Sequence, residues 1–119
     1  MVAPKETFGP LDGAGVKYDT GKPRWDLLPP DALDDVARVL SYGADKYAAR
    51  NWEKGMDWGR LSAALQRHLA AFSMGEDIDP ESGLHHLAHM SCCALMLHAL
   101  FLRGDGTDDR SFALPGGRK

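Results

Sequence analysis

The sequence predicts an all-α fold, a small bundle of three main helices behind an irregular N-terminal arm, and three observations predict it. Apolar residues recur at helical spacing in two stretches, Leu33, Val36, Ala37 and Leu40, then Trp58, Leu61, Leu65, Leu69 and Phe72. A third stretch, 90–102, is apolar nearly all round, as in a helix at the centre of a core or at a subunit contact. No stretch alternates between apolar and polar residues as a half-buried strand does.

The elements follow in chain order. Residues 1–29 are rich in Gly, Pro and charge and form the arm. Pro29 and Pro30 close it and open the first helix, because proline is tolerated in a first turn. Asp34 and Asp35 fall in the first turns, where the helix dipole favours carboxylates. Gly43 is expected to end or kink this helix, with 44–49 adding a further turn. A loop at 50–57 follows, and Asp57 is the expected N-cap of the second helix, which Gly75 stops. Asp79-Pro80 carries the signature of a third helix start, and that helix is expected to run to about Arg103, ended by Gly104. The tail, 104–119, is polar and expected to be mobile.

At 119 residues the chain has room for one domain, 1–119, with a modest core, so burial of more surface by oligomerisation is expected. The net charge of −3 argues against general coating of nucleic acid, while leaving room for a local cation cluster that binds one nucleotide. Residues 1–10 hold no apolar signal core, and the longest apolar run is too short to span a bilayer. Cys92 and Cys93 are adjacent and cannot meet disulfide geometry on a helix, which fits a reduced, cytoplasmic setting and two small buried side chains.

The chemistry is concentrated at 76–89. Glu76, Asp77, Asp79 and Glu81 crowd one short segment, and all five histidines, His68, His85, His86, His89 and His98, lie on the second and third helices. On a third helix beginning at Pro80, Glu81, His85 and His89 would share one face, and His86 and His89 could also converge. His68 lies near the apolar stripe of the second helix, between Leu65 and Phe72, and two antiparallel helices joined by a short loop would bring their ends at 75–81 together. Carboxylates and imidazoles so placed suit Mg²⁺, Mn²⁺ or another divalent ion. Against this, capping and the dipole alone would account for Asp79 and Glu81, a satisfied core position for His68, and solvation for Asp77. His98, among Leu97, Ala99 and Leu100, reads as structural.

Two further segments offer substrate contacts. Lys17, Lys22 and Arg24 lie within eight residues of the arm, shaped by Gly21 and Pro23, and could close over a triphosphate. Solvated charges doing nothing are the plainer explanation of such a loop. In the loop between the first two helices, Trp52 could stack on a base or cap the core, Asn51 could read a base edge, and Glu53 could ligate metal.

The strings G-V-K-Y-D-T-G-K-P-R, L-L-P-P-D-A-L, Y-G-A-D-K-Y, N-W-E-K-G, R-H-L-A-A-F and G-E-D-I-D-P-E-S-G-L-H-H-L-A-H, in this order across about 15–102, closely resemble the phage dATP/dGTP diphosphohydrolases, the MazZ-like proteins. The resemblance implies kinship with the all-α MazG pyrophosphohydrolases, which cleave a nucleoside triphosphate between its α and β phosphates with Mg²⁺ or Mn²⁺. It implies two or more ions, a homodimer or homotetramer with sites near subunit contacts, and dGMP supply for 2-aminoadenine genomes in a phage. It casts Glu53, Glu76, Asp79, Glu81, His86 and His89 as metal ligands. Lys17, Asp19, Lys22, Arg24, Asn51, Trp52 and His68 then fall on the substrate side. The MazG enzymes carry E-x-x-E and E-x-x-D patterns on successive helices; here the second helix lacks a central acid, and H-L-A-H at 86–89 stands where E-x-x-D is expected, so histidine ligands are expected.

The mechanism expected is attack of water on the α-phosphorus, with Glu81 taking the proton and Lys17, Lys22 and Arg24 neutralising the leaving pyrophosphate. Two other readings compete. An HD-type phosphohydrolase lacks its adjacent His-Asp pair in this sequence. A non-catalytic nucleotide-binding or regulatory helical module would bind without turnover.

Overall fold

The computed structural model describes residues 15–112 and 114, so the first half of the arm and most of 113–119 lie outside the described residues. The order of long elements is α1 (Pro30–Lys46), α2 (Trp58–Ser73) and α3 (His86–Arg103), with short 3-10 turns at Trp25–Leu27 and Asn51–Lys54. Among the described residues there is no strand, and two isolated β-bridges occur. The predicted all-α architecture of three main helices is therefore observed.

Pro29 is the N-cap of α1 and Pro30 its first residue, where a missing amide hydrogen costs no helical bond. The expected break at Gly43 does not occur. The helix runs through it to Lys46, and the Gly43 carbonyl accepts from the Tyr47 amide at 2.9 Å. One glycine near a helix end costs about 1 kcal/mol, too little to stop a helix that is held by packing. Its buried face is Val36 and Val39, one turn apart.

Asp57 does occupy the N-cap of α2, but its side chain makes no capping bond. That role falls to Asp109, whose Oδ1 accepts from the Gly59 amide at 2.8 Å. Residues 105–110, expected to be mobile, are thereby strapped to the start of α2. The Trp58 indole donates to the Asp105 carbonyl at 3.0 Å, the Trp58 amide to Thr107 at 2.9 Å and the Thr107 amide to Met56 at 3.2 Å. Gly106, at φ 77, lies so close to Met56 and Trp58 that no side chain fits there. These bonds run through backbone groups, which leave no pattern in the sequence. Asp109→Ala removes the cap and is expected to cost about 1 kcal/mol, seen as a lower urea midpoint at unchanged slope.

The largest departure is at the start of α3. The helix begins at His86, not Pro80, so Glu81 and His85 are not helical and the proposed shared face of Glu81, His85 and His89 does not exist. Residues 77–86 instead form a tight loop. The Asp79 amide donates to the Leu84 carbonyl at 2.8 Å, the His86 amide to Asp77 at 2.9 Å and the Gly83 amide to Asp79 at 2.7 Å. Asp79 does act as a local cap, accepting from the Glu81 amide, but Gly83 at φ 74 turns the chain before a helix can propagate. The N-cap is His85, whose Nδ1 accepts from the Leu87 amide at 3.0 Å.

As expected for its all-round apolar character, α3 is central: α1 and α2 both pack on it. Val36 and Val39 of α1 meet Ala88 and Cys92 of α3, with Leu84 and Met96 packed against them. On the α2 side Leu61 is buried, and the Trp58 ring lies 5.7 Å from Phe101. Leu100 is fully enclosed. Cys92 and Cys93 are free and buried, and burial pushes the Cys92 thiol up to about 11, so it packs as an inert apolar group. His98, in contrast, is exposed. Leu95 and Leu102, seven residues apart on one face, leave apolar surface on the outer side of α3. No helix among the described residues is long and apolar enough to cross a membrane.

Candidate functional site

The site forms where α2, α3 and the 77–86 loop meet. His68 stands seven residues after buried Leu61, on the face of α2 turned to α3. His86 and His89 are one turn apart at the start of α3 and are both buried. The pairing of the two helices brings the three rings together: His68 stacks on His89 with centroids 4.5 Å apart and planes 8° apart, and lies 5.1 Å from His86.

The loop adds the acids. His86 Nε2 lies 2.7 Å from Glu76 Oε1, and His86 Nδ1 lies 2.8 Å from His68 Nδ1. His89 Nε2 lies 3.4 Å from Asp79 Oδ2 and 2.6 Å from the Ser82 hydroxyl. Ser82 also donates to Asp79 Oδ2 at 3.2 Å and accepts from the Leu84 amide at 3.2 Å, so the loop and the site share one hydrogen-bond network. Every buried side-chain nitrogen and oxygen among the described residues has a partner. Phe72 packs its ring 5.8 Å from His85 and closes the α2 side.

One group among the described residues has the geometry to hold a metal ion. His68, Asp79 and His89 each offer a ligand atom, and these atoms lie within 4.8 Å of one another. Two imidazoles and one carboxylate are a donor set for a divalent first-row ion, so the residues present fit such a group. Electrostatics prepare the set. Burial lowers the pKa of His68, as does the proximity of His89 and His86. Burial likewise lowers that of His89, with Asp79 opposing. Burial tends to raise Asp79, but bonds from the Glu81 amide and the Ser82 hydroxyl, with the nearby His89, leave it below the usual carboxylate value. Neutral imidazoles beside an ionised carboxylate are the protonation states that bind metal.

These shifts set a pH dependence. The unfolded chain binds protons at His68 and His89 at the ordinary value of 6.5, while the folded chain resists protonation until lower pH. Where the unfolded state binds more protons, stability rises with pH. Thermal stability is thus expected to be level above pH 6.5 and to fall below it, with Asp79 adding to the loss below its ordinary 3.8. Melting curves between pH 8 and pH 4 check this; a protein that gains stability on acidification from pH 7 to 5 contradicts it.

Two residues at the site went unremarked in the sequence. Ser82 binds both Asp79 and His89, and its signal was its place three residues after Asp79. Lys46, at the end of α1, reaches Glu81 Oε1 at 3.2 Å and stands 5.9 and 5.4 Å from the Tyr42 and Tyr47 rings. Its pKa is raised by the bond to Glu81. Tyr42 meets His89 edge-on at 6.2 Å.

Other expected site residues stand apart. Glu53 is bound by Arg103 at 3.0 Å and Arg50 at 3.2 Å, which hold its carboxyl below the usual value, and Arg103 stacks 5.3 Å from the Trp52 ring. Arg103 is the last residue of α3 and His86 the first, so at a 1.5 Å rise Asn51, Trp52 and Glu53 lie about 25 Å along the helix from the histidines. In the arm, Arg24 grips Asp26 bidentately at 2.8 and 2.7 Å. Asp19, Lys22 and Arg24 line an open recess with Pro23, Trp25 and Asp26, while Lys17 is exposed nearby in sequence.

Comparison with known proteins gives a consistent picture. Residues 12–110 match the family described as dATP/dGTP diphosphohydrolase, N-terminal. A dATP/dGTP diphosphohydrolase of Salmonella phage PMBT28 is 38% identical over 107 residues, which cover 88% of this chain and 37% of the phage protein. The chain thus spans little more than a third of that relative's length. No solved structure gives a significant match.

Proposed function

The chain belongs to the dATP/dGTP diphosphohydrolase N-terminal family, and from that membership we propose that it hydrolyses dGTP and dATP to the monophosphate and pyrophosphate with Mg²⁺ or Mn²⁺. The observation that carries the reading is the convergence of His68, Asp79 and His89 on one point. These three would hold one ion of two or more, which when bound would set positive charge against the phosphate oxygens. Glu81, exposed and two residues from Asp79, would take the proton of the attacking water. Lys17, Lys22 and Arg24, with Asp19 in the same turn, would close over the phosphates, Arg24 exchanging Asp26 for substrate.

Glu76 and His86 stand beside the three ligands, and Glu53 is the remaining acid proposed for metal. With Asn51 and Trp52, proposed to contact the base, Glu53 lies too far from the histidines to serve them within one chain. A homodimer or homotetramer accommodates this, and the exposed Leu95 and Leu102 supply apolar surface for the contact. In the cytoplasm of a phage-infected host, the dGMP formed would feed synthesis of a 2-aminoadenine genome, with no membrane or nucleic-acid partner required.

Incubation with dGTP and Mn²⁺, followed by chromatography of the products, tests the reading. dGMP and pyrophosphate are expected; release of orthophosphate or tripolyphosphate contradicts it, and binding without turnover returns the non-catalytic module. Two imidazoles favour Mn²⁺ over Mg²⁺, and calorimetric titration is expected to show at least about tenfold tighter binding of Mn²⁺.

A further inference from the structure

Four groups form a line through the site: Glu76, His86, His68 and the point shared with Asp79 and His89. Glu76 Oε1 and His86 Nε2 are 2.7 Å apart, and an ionised carboxylate only accepts, so His86 Nε2 carries the proton and donates. In its neutral form His86 then has a lone pair on Nδ1. His68 Nδ1 lies 2.8 Å from that atom and must therefore donate to it. The proton on His68 is thus placed on Nδ1, and its Nε2 is left with a free lone pair. Were the order reversed, His68 would carry its proton on Nε2 and could not ligate an ion there.

We infer that Glu76 and His86 are positioning residues, an orienting relay that fixes the tautomer of His68 and leaves its Nε2 as the nitrogen available to an ion shared with Asp79 and His89. Neither then serves as a ligand of that ion. The burial of His86 suits the task, since a relay shielded from water has no competing partner. Glu76 is itself half exposed, its side chain 53% accessible, and bonds His86 from the solvent side of the loop. Outer partners of this kind ordinarily set the orientation and basicity of the ligand they bear on. The part that concerns metal rests on the function proposed above; the tautomer does not.

The test is two-bond ¹⁵N–¹H correlation of the histidine rings in the full chain, metal-free and above pH 7, with Glu76→Gln and Glu76→Ala beside it. In the wild type, His68 is expected to show a protonated Nδ1 and an unprotonated Nε2. Gln keeps an oxygen that accepts from His86 and should preserve this pattern. Ala removes the acceptor and should let the Nε2-protonated form of His68 appear. Titration with Mn²⁺ should then show affinity reduced about tenfold to a hundredfold in the Ala variant, with the Gln variant close to wild type. An Nε2-protonated His68 in the wild type overturns the inference, as does a His68 tautomer indifferent to Glu76→Ala. Equal loss of Mn²⁺ affinity in Gln and Ala overturns it too, because it would mark Glu76 as a charge or ligand in its own right. A wild type with the expected tautomer that binds no Mn²⁺ upholds the relay and sinks the metal reading instead.

Discussion

Asp79→Asn is expected to remove divalent-ion binding at the His68–Asp79–His89 point and to lower kcat/KM for dGTP by more than about a hundredfold, beyond what loss of an outer partner ordinarily costs. The substitution is chosen for what it keeps. The amide oxygen of Asn can still accept from the Glu81 amide, and its nitrogen, in the place of Oδ2, can donate to the Ser82 hydroxyl, so the 77–86 loop should hold its shape. What is lost is the negative charge, which together with two neutral imidazoles makes the position attractive to a cation. Unchanged helix content by circular dichroism, with turnover gone, is the expected pair of results. Turnover near the wild-type rate would show that the ion, if any, is held elsewhere.

Leu100→Ala is expected to be the most destabilising single change in the bundle. Leu100 is the one large apolar side chain among the described residues with no accessible surface, and it sits on α3, which both other helices pack against. Truncation of a buried leucine loses its transfer free energy and leaves a cavity, costing about 2–5 kcal/mol. Against a total stability of about 5–15 kcal/mol for a typical domain, that is a large fraction. A fall of about 10 °C or more in the melting temperature is expected, with turnover retained well below the new midpoint because Leu100 lies three turns beyond the histidines. Leu102→Ser, two residues on and exposed, serves as the contrast: little loss of monomer stability, with any effect falling on self-association.

Where burial and periodicity agree, the fold was readable from the chain. α1 and α2 were legible as helices from their apolar spacing, although of the expected α1 stripe Leu33, Val36, Ala37 and Leu40 only Val36 is buried, with Val39 beside it, and α3 was legible because nothing along 90–102 is charged. The errors lay where a local signal had two physical outcomes. Asp79-Pro80 resembles a helix start, and Asp79 does cap a turn, but Gly83 diverts the chain and His85 takes over as N-cap. The strap at 105–110 is held by carbonyls, an indole N–H and one aspartate reaching a helix end, none of which is periodic. The site was legible in part for the same reason. His86, His89, Asp79 and Glu76 lie in one stretch, so their closeness needed no tertiary knowledge. The place of His68 beside them depends on the register of α2 against α3. Spacing within either helix does not contain that register.

The most direct measurement is an anomalous difference map from crystals grown with Mn²⁺ and a non-hydrolysable dGTP analogue, collected at the manganese edge. A peak within coordination distance of His68, Asp79 and His89, with the analogue's phosphates against it, is the expected result. Manganese bound only elsewhere, for instance beside Glu53 with the His89–Asp79 and His68–His86 contacts intact, would contradict the assignment of the metal centre.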